Sequence, residues 1–172
     1  MITVLLALFV HQVAFAFGLY RLEKISKKSY TASEIFEAYR SLPSLIKGHE
    51  LYEIKYAIAS QSSNRFEEAL THYRLAMNMS SEANIWGRAG YCCQRLTKYD
   101  SSFYYYNLCY NLQPYRLMPK FALLNLYIQK GDTTAAKIMA RQIIDLPLRV
   151  ENKNSSYIRN YALHFLDSMA HN

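Results

Sequence analysis

Histidine, cysteine and the carboxylates are the side chains of this chain that could support acid–base, nucleophilic or metal chemistry, and their spacing assembles no site. The five histidines stand singly: His11 in an apolar run, His49 in a turn, His72 and His164 on helical stretches, His171 in the tail. None has a second ligand or base at a useful spacing, so solvated or packed imidazole is the reading. Cys92, Cys93 and Cys109 show neither CxxC nor paired Cys–His spacing and read as small buried hydrophobes. In an oxidising compartment Cys93 and Cys109 are the pair that could approach across two helices, and that alternative stays open. Glu67, Glu68 and Asp132 read as solvated helix and turn residues. The sequence contains no GxxxxGK[ST], GxGxxG, HExxH or GxSxG motif. The chain is therefore read as no enzyme, with no metal and no cofactor.

What remains to be explained is a scaffold, and the elements that build it recur at a fixed period. In the stretch from Asn84 to Pro114, Trp86, Ala89 and Gly90 come first, Tyr99 and Ser102 sit in the middle, and Tyr106, Cys109 and Pro114 close it. Ala69, Tyr73 and Ala76 precede Ser102, Tyr106 and Cys109 by 33 positions, and Ala136, Ala140 and Ile143 follow them by 34. Self-similarity at this period predicts stacked helix–turn–helix units. Two antiparallel helices can cross closely only at small residues, here Ala89, Gly90 and Ser102. Trp86, Leu96, Tyr99, Tyr106 and Leu108 are expected to fill the spaces between units. Pro114 falls where a residue lacking an N–H can end the second helix. A third unit carries Leu123, Tyr127, Gly131-Asp132, Ala136 and Ala140, with Gly131 supplying a positive φ at its turn. The first unit is weakest, with Tyr56, Ala57 and Ser60 only loosely matching the first-helix set.

The central unit resembles the tetratricopeptide repeat, W-x2-LG-x2-Y…A-x3-F…A…P. Trp86, Gly90, Tyr106 (aromatic for aromatic) and Pro114 match, while Ala89, Cys93, Ser102 and Cys109 stand in for the other positions. That resemblance implies an all-α solenoid that binds protein partners. A groove lined by first-helix residues is expected at Tyr91, Gln94 and Arg95 of the second unit and Asn125 and Gln129 of the third. The Lys/Asn clamp some such repeats use for a terminal carboxylate is missing, with Ile54 and Ile58 at two of its places.

From Ile2 to Tyr20 the chain is apolar except for Thr3, His11 and Gln12. Nineteen helical residues reach roughly 28 Å, near the thickness of a bilayer's hydrocarbon. Arg21, Lys24, Lys27 and Lys28 follow, the lysines on one helix face suited to phospholipid headgroups. A cleaved signal peptide would use Ala14-Phe15-Ala16, but the basic n-region is absent, so a retained transmembrane helix is the reading. His11 and Gln12 would then face other helices. The expected organisation is a membrane helix over 1–20, a basic stretch and helix over 21–48, three repeats over 49–150 and a capping helix with tail over 151–172. A helix from Ser29 to Ile46 has a capping box at Thr31 and Glu34 and is bent late by Pro43. Leu146 to Val150 is too short and proline-bound to be helical, and Ser155 or Ser156 is expected to cap the last helix.

Net charge is +7, yet the basic residues are scattered, so nucleic acid is not expected as a partner. Tyrosine is abundant, at 16 residues, and beyond its packing positions Tyr91 and Tyr115 are expected to be exposed.

The stretch Leu112 to Arg159 is also similar to the carboxy-terminal periplasmic tail of bacterial O-antigen ligase/polymerase-like membrane proteins. Pro114, Arg116, Pro119, Tyr127, Gly131, Asp132, Ala136, Ala140, Pro147 and Val150 carry the match, with Arg149 in place of a lysine. The family's catalytic loops lie between earlier spans that this sequence does not contain, so no catalytic residue is carried over. The resemblance implies a scaffold, or split non-catalytic subunit, in cell-envelope polysaccharide assembly. It would sit at the bacterial inner membrane with its repeats periplasmic, beside a polytopic ligase or polymerase. The basic residues after the span point instead to a cytoplasmic repeat domain, a tendency that earlier spans can override.

Overall fold

The computed structural model describes residues 2–25, 31–147 and 152–170, and every regular element among them is helical. In order these are α1 (Ile2–Ile25), α2 (Ala32–Arg40), a 3-10 turn (Ser44–Ile46), α3 (Glu50–Ser62), α4 (Phe66–Met77), α5 (Ala83–Arg95), α6 (Tyr99–Leu112), α7 (Leu117–Lys130), α8 (Thr133–Ile144) and α9 (Lys153–Ser168). The chain forms two compact units, Met1–Ile85 and Trp86–Asn172. Lys27, Lys28, Arg149, Val150 and His171 lie outside the described residues, and with them the lysine face and the end of the Leu146–Val150 segment.

In the first unit α3 packs along α4 and α2 lies on α3, while α1 meets α2 and the 3-10 turn. α1 runs five residues past Tyr20 and differs sharply along its length. Residues 2–14 are exposed, whereas Gly18 and Leu22 are buried. Leu22 joins Phe36, Tyr39, Ile46, Tyr52 and Tyr56 in one core, with Phe15, Leu19 and Ile25 packed against it. Phe15 also meets the edge of the His49 ring at 5.6 Å. The capping box forms as expected, Glu34 N–H donating to Thr31 Oγ1 and Thr31 N–H to Glu34 Oε2. The helix expected to reach Ile46 stops at Arg40, because Pro43 disfavours helical backbone at Leu42 and offers no N–H.

In the second unit α6 packs on α7, α7 on α8, and α9 on both α7 and α8. Leu123, Leu124, Leu126, Ala136, Ala140, Ile143, Ile158 and Ala162 share its core. α9 therefore covers an apolar helix pair, as a capping helix must. Its N-cap is Asn152, and Ser155 is instead the third residue of an Asn152–Ser155 capping box. Asn152 is competent because its amide oxygen reaches the Ser155 N–H while its backbone stays extended.

The repeat is visible as geometry. Positive φ falls at Asn64 (59°), Thr97 (57°) and Gly131 (74°), one period apart, where each first helix turns into its second. One residue later an N–H reaches back to the same place in each turn. Arg65 donates to Ser60 O, Lys98 to Cys93 O and Asp132 to Tyr127 O, at 2.9, 2.9 and 3.0 Å. Across two of the pairs a tyrosine also donates to a glutamine: Tyr73 Oη to Gln61 Oε1 at 2.7 Å and Tyr106 Oη to Gln94 Oε1 at 2.8 Å. The fold is a tetratricopeptide-like helical repeat.

Candidate partner-binding face

The close crossing that sequence places at Gly90 and Ser102 is real. Ser102 Oγ donates to Gly90 O at 2.9 Å, and a Cβ built on Gly90 would lie 2.5 Å from Tyr106 Cδ1. Glycine at this position lets the tyrosine ring lie directly on the α5 backbone. Tyr106 thus packs within its own helix pair and also shares a core with Leu117, Leu123 and Leu124 of the next one, and burial raises its phenol pKa. Trp86 is half-buried, its ring 6.1 Å from Tyr105. Tyr127 meets Phe103 at 5.0 Å, Ala136 is buried between its neighbours, and Pro114 is exposed in the connection from α6 to α7.

α5 and α7 are tied by side chains, and α9 packs on α7 and α8. Gln94 Nε2 on α5 donates to Gln129 Oε1 on α7 at 2.8 Å, and Gln129 Nε2 donates to Tyr99 Oη at 3.0 Å. Two of the five expected groove residues are therefore ties between helices, with their amides engaged. Tyr91 and Arg95 remain on the surface as a pair, Arg95 Nη1 donating to Tyr91 Oη at 2.9 Å with its guanidinium 5.9 Å from the ring centroid. Asn125 is half-buried on α7. Further along, α9 and Ile128 of α7 line an open groove of about 320 Å³, with Tyr157, Asn160, Tyr161, His164, Phe165 and Ser168 as its α9 wall. The α9 residues were missed from sequence because the last helix reads there as a cap. Their signal is the recurrence of aromatics at Tyr157, Tyr161 and Phe165, four residues apart on one helical face.

The reactive side chains are held structurally. Cys92, Cys93 and Cys109 are buried thiols, and burial pushes Cys92 up to about 12 and raises Cys109 as well. The Sγ of Cys109 approaches Gly87, where a Cβ would sit 3.2 Å away. Lys120, 5% exposed, lies over the Tyr110 ring at 4.4 Å near the C-terminal ends of α6 and α8, where helix dipoles favour a cation.

The first unit holds a polar cluster that the sequence does not announce. Glu53, 2% exposed, accepts from the Gly48 N–H at 2.7 Å through Oε1, and Oε2 meets His72 Nδ1. The expectation that no histidine has a partner is thus corrected for His72, whose partner lies 19 residues away on the neighbouring helix. Glu68, expected to be solvated, is partly buried and accepts from Tyr56 Oη at 2.7 Å. Among the described residues no three His, Cys, Asp or Glu side chains gather as a metal site.

No protein-family model and no curated protein matches this chain. Among solved structures, a chain in the crystal structure of the APC/C hetero-tetramer Cut9-Hcn1 superposes with a TM-score of 0.63 at 16% identity. The match covers 89% of the present chain, which spans 30% of the length of that chain. At this identity the likeness speaks for the fold alone, a tetratricopeptide-like helical repeat.

Proposed function

We propose that this chain is a membrane-anchored helical-repeat scaffold, held in a bilayer by α1 and engaging a protein partner through the face of α5, α7 and α9. The two-part character of α1 carries the reading. It is the one helix among the described residues long and apolar enough to span a membrane, with mean hydropathy 2.1 over its best window. Its first half exposes Ile2, Leu5, Leu6, Phe9 and Val10, while its second half supplies Leu22 to the core of the first unit. Water penalises the first half heavily, at roughly 25 cal/mol per Å² of apolar surface, whereas a lipid environment does not. Cutting after Ala16 would remove Phe15 from its place against His49 but leave Gly18, Leu19 and Leu22, so the retained helix rests on its apolar length and the missing basic n-region.

The partner is placed in cell-envelope polysaccharide assembly, with the repeats periplasmic, on the strength of the sequence resemblance alone. Pro114, Arg116 and Pro119 of that resemblance all fall around the α6–α7 connection. Reporter fusions after Asn172 test the topology: a periplasm-active reporter should give signal, and signal from the cytoplasmic reporter alone would remove the envelope assignment. Co-purification from detergent-solubilised membranes tests the partner. Recovery of a polytopic glycan ligase or polymerase is expected, and its absence from crosslinked membranes would leave a scaffold of another pathway.

A further inference from the structure

We infer that the face of α5, α7 and α9 takes an acidic peptide segment of the partner, anchored by one large apolar side chain in the groove lined by α9 and Ile128. The inference rests on the scaffold reading above and adds the chemistry of what is bound.

Charge is the first argument. Residues 86–172 hold eleven Lys and Arg against five Asp and Glu, a net of +6, whereas residues 1–85 hold nine against eight. The second unit therefore carries nearly all of the chain's excess. Within it, α5 and α7 contain no carboxylate along their whole length, and α9 contains only Asp167, in its last turn. Arg88 and Arg95 are exposed on α5, and Lys130 at the end of α7 lies 3.4 Å from Asp100 of α6. With Lys130 balanced by Asp100, the exposed Arg88 and Arg95 remain as the excess on this face, and such an excess attracts an acidic segment and rejects a basic one.

The groove supplies the second argument. Phe121 meets Tyr157 and Tyr161 edge-on at 6.2 and 5.2 Å, so the rings are fixed by each other before anything binds. Tyr157 is nevertheless 61% exposed. The groove's volume of about 320 Å³ suits one large side chain, and such an anchor, set among aromatic rings, dominates many interfaces. Asn160, His164 and Ser168 on the same helix offer polar groups to the backbone of an extended segment. Aromatic rings on a basic surface also bind single-stranded nucleic acid, but that needs faces spaced along a track on which successive bases stack. Here Tyr157, Tyr161 and Phe165 cluster on one helix around a single groove, with Phe121 edge-on behind the two tyrosines.

The test uses the full chain in zwitterionic detergent micelles and fluorescence anisotropy. The probes are three labelled peptides of equal length with one central Trp, flanked by Asp and Glu, by Ser and Gln, or by Lys, together with an oligouridine strand. The acidic peptide should bind best and weaken as salt rises. Arg95→Glu and Tyr157→Ala should each weaken it about tenfold, while Arg141→Glu on α8 should not. Both substituted positions are exposed, and an unchanged thermal melt separates lost binding from lost fold. Equal binding of the Ser/Gln peptide would overturn the acidic preference and leave the scaffold reading standing. Tighter binding of oligouridine, or binding indifferent to Tyr157→Ala, would overturn the inference outright. If all three peptides fail at low salt the inference falls, and the scaffold reading is then judged by the co-purification alone.

Discussion

Thr97 holds a left-handed backbone, φ 57°, that costs a β-branched L-residue roughly 1–2 kcal/mol. Its counterparts one period away are Asn64, which tolerates that region, and Gly131, which has no Cβ to clash. Thr97→Gly should therefore stabilise the protein by about 0.5–1 kcal/mol in urea unfolding, after the added chain entropy of glycine is deducted. Asn64→Gly should give less, and an equal or lower midpoint for Thr97→Gly would refute the strain. Gly131 announces its turn in the sequence, whereas threonine carries no signal of left-handed backbone, so the turn at Thr97 was visible only through the period. Gly90→Ala is the converse case: its Cβ would meet the Tyr106 ring at 2.5 Å, and overpacking of this kind costs about 1–3 kcal/mol. The thiol of Cys92 gives a pH signature. Its pKa is raised from the ordinary 9.0 to about 12 by burial, so its contribution to stability is full below pH 9 and disappears as pH climbs towards 12. The wild type should lose more stability over that window than Cys92→Ala, and equal losses would show that burial of Cys92 does not set the alkaline limit.

Elements that answer to local rules were readable. The α2 start follows from Thr31 and Glu34, and the Gly131-Asp132 turn, with Asp132 capping α8, follows from glycine and a short acceptor. The α2 end was misplaced because Leu42, Leu45 and Ile46 continue an apolar pattern that Pro43 forbids a helix to follow; two of them are buried from outside α2, Leu42 from the bend and Ile46 from the 3-10 turn. The Glu53–His72 pair was unreadable for a different reason. It depends on the register between α3 and α4, which no spacing along one helix encodes. Glu53 links α3 to the Gly48 turn and to α4, so Glu53→Ala should cost about 1–2 kcal/mol by leaving the Gly48 N–H and the half-buried His72 without their acceptor. Glu67→Ala, on the exposed side of α4, should stay within about 0.5 kcal/mol. Similar values in urea denaturation would mean that the buried carboxylate contributes nothing.

At the scale of the whole molecule, α1 makes two demands that no water-exposed solenoid would place on one helix, and truncation separates them. A chain beginning at Phe15 loses residues 2–14, all of them exposed, and keeps Phe15, Leu19, Leu22 and Ile25 at the core. It should leave the membrane fraction yet melt at the temperature of the full chain in detergent. A chain beginning at Glu23 also loses Leu22, which is 0% exposed, and Gly18, whose backbone sits so close to Ile46 that an added Cβ would lie 2.6 Å from its Cγ2. Removing one buried leucine side chain alone costs about 2–5 kcal/mol, so this form should melt well below the first. Sedimentation with membranes by the Phe15 form would show that something other than residues 2–14 anchors the protein. Equal melting of the two forms would show that the docked half of α1 adds nothing to the first unit. If both expectations hold, the helix that enters the bilayer also completes the core of the first unit.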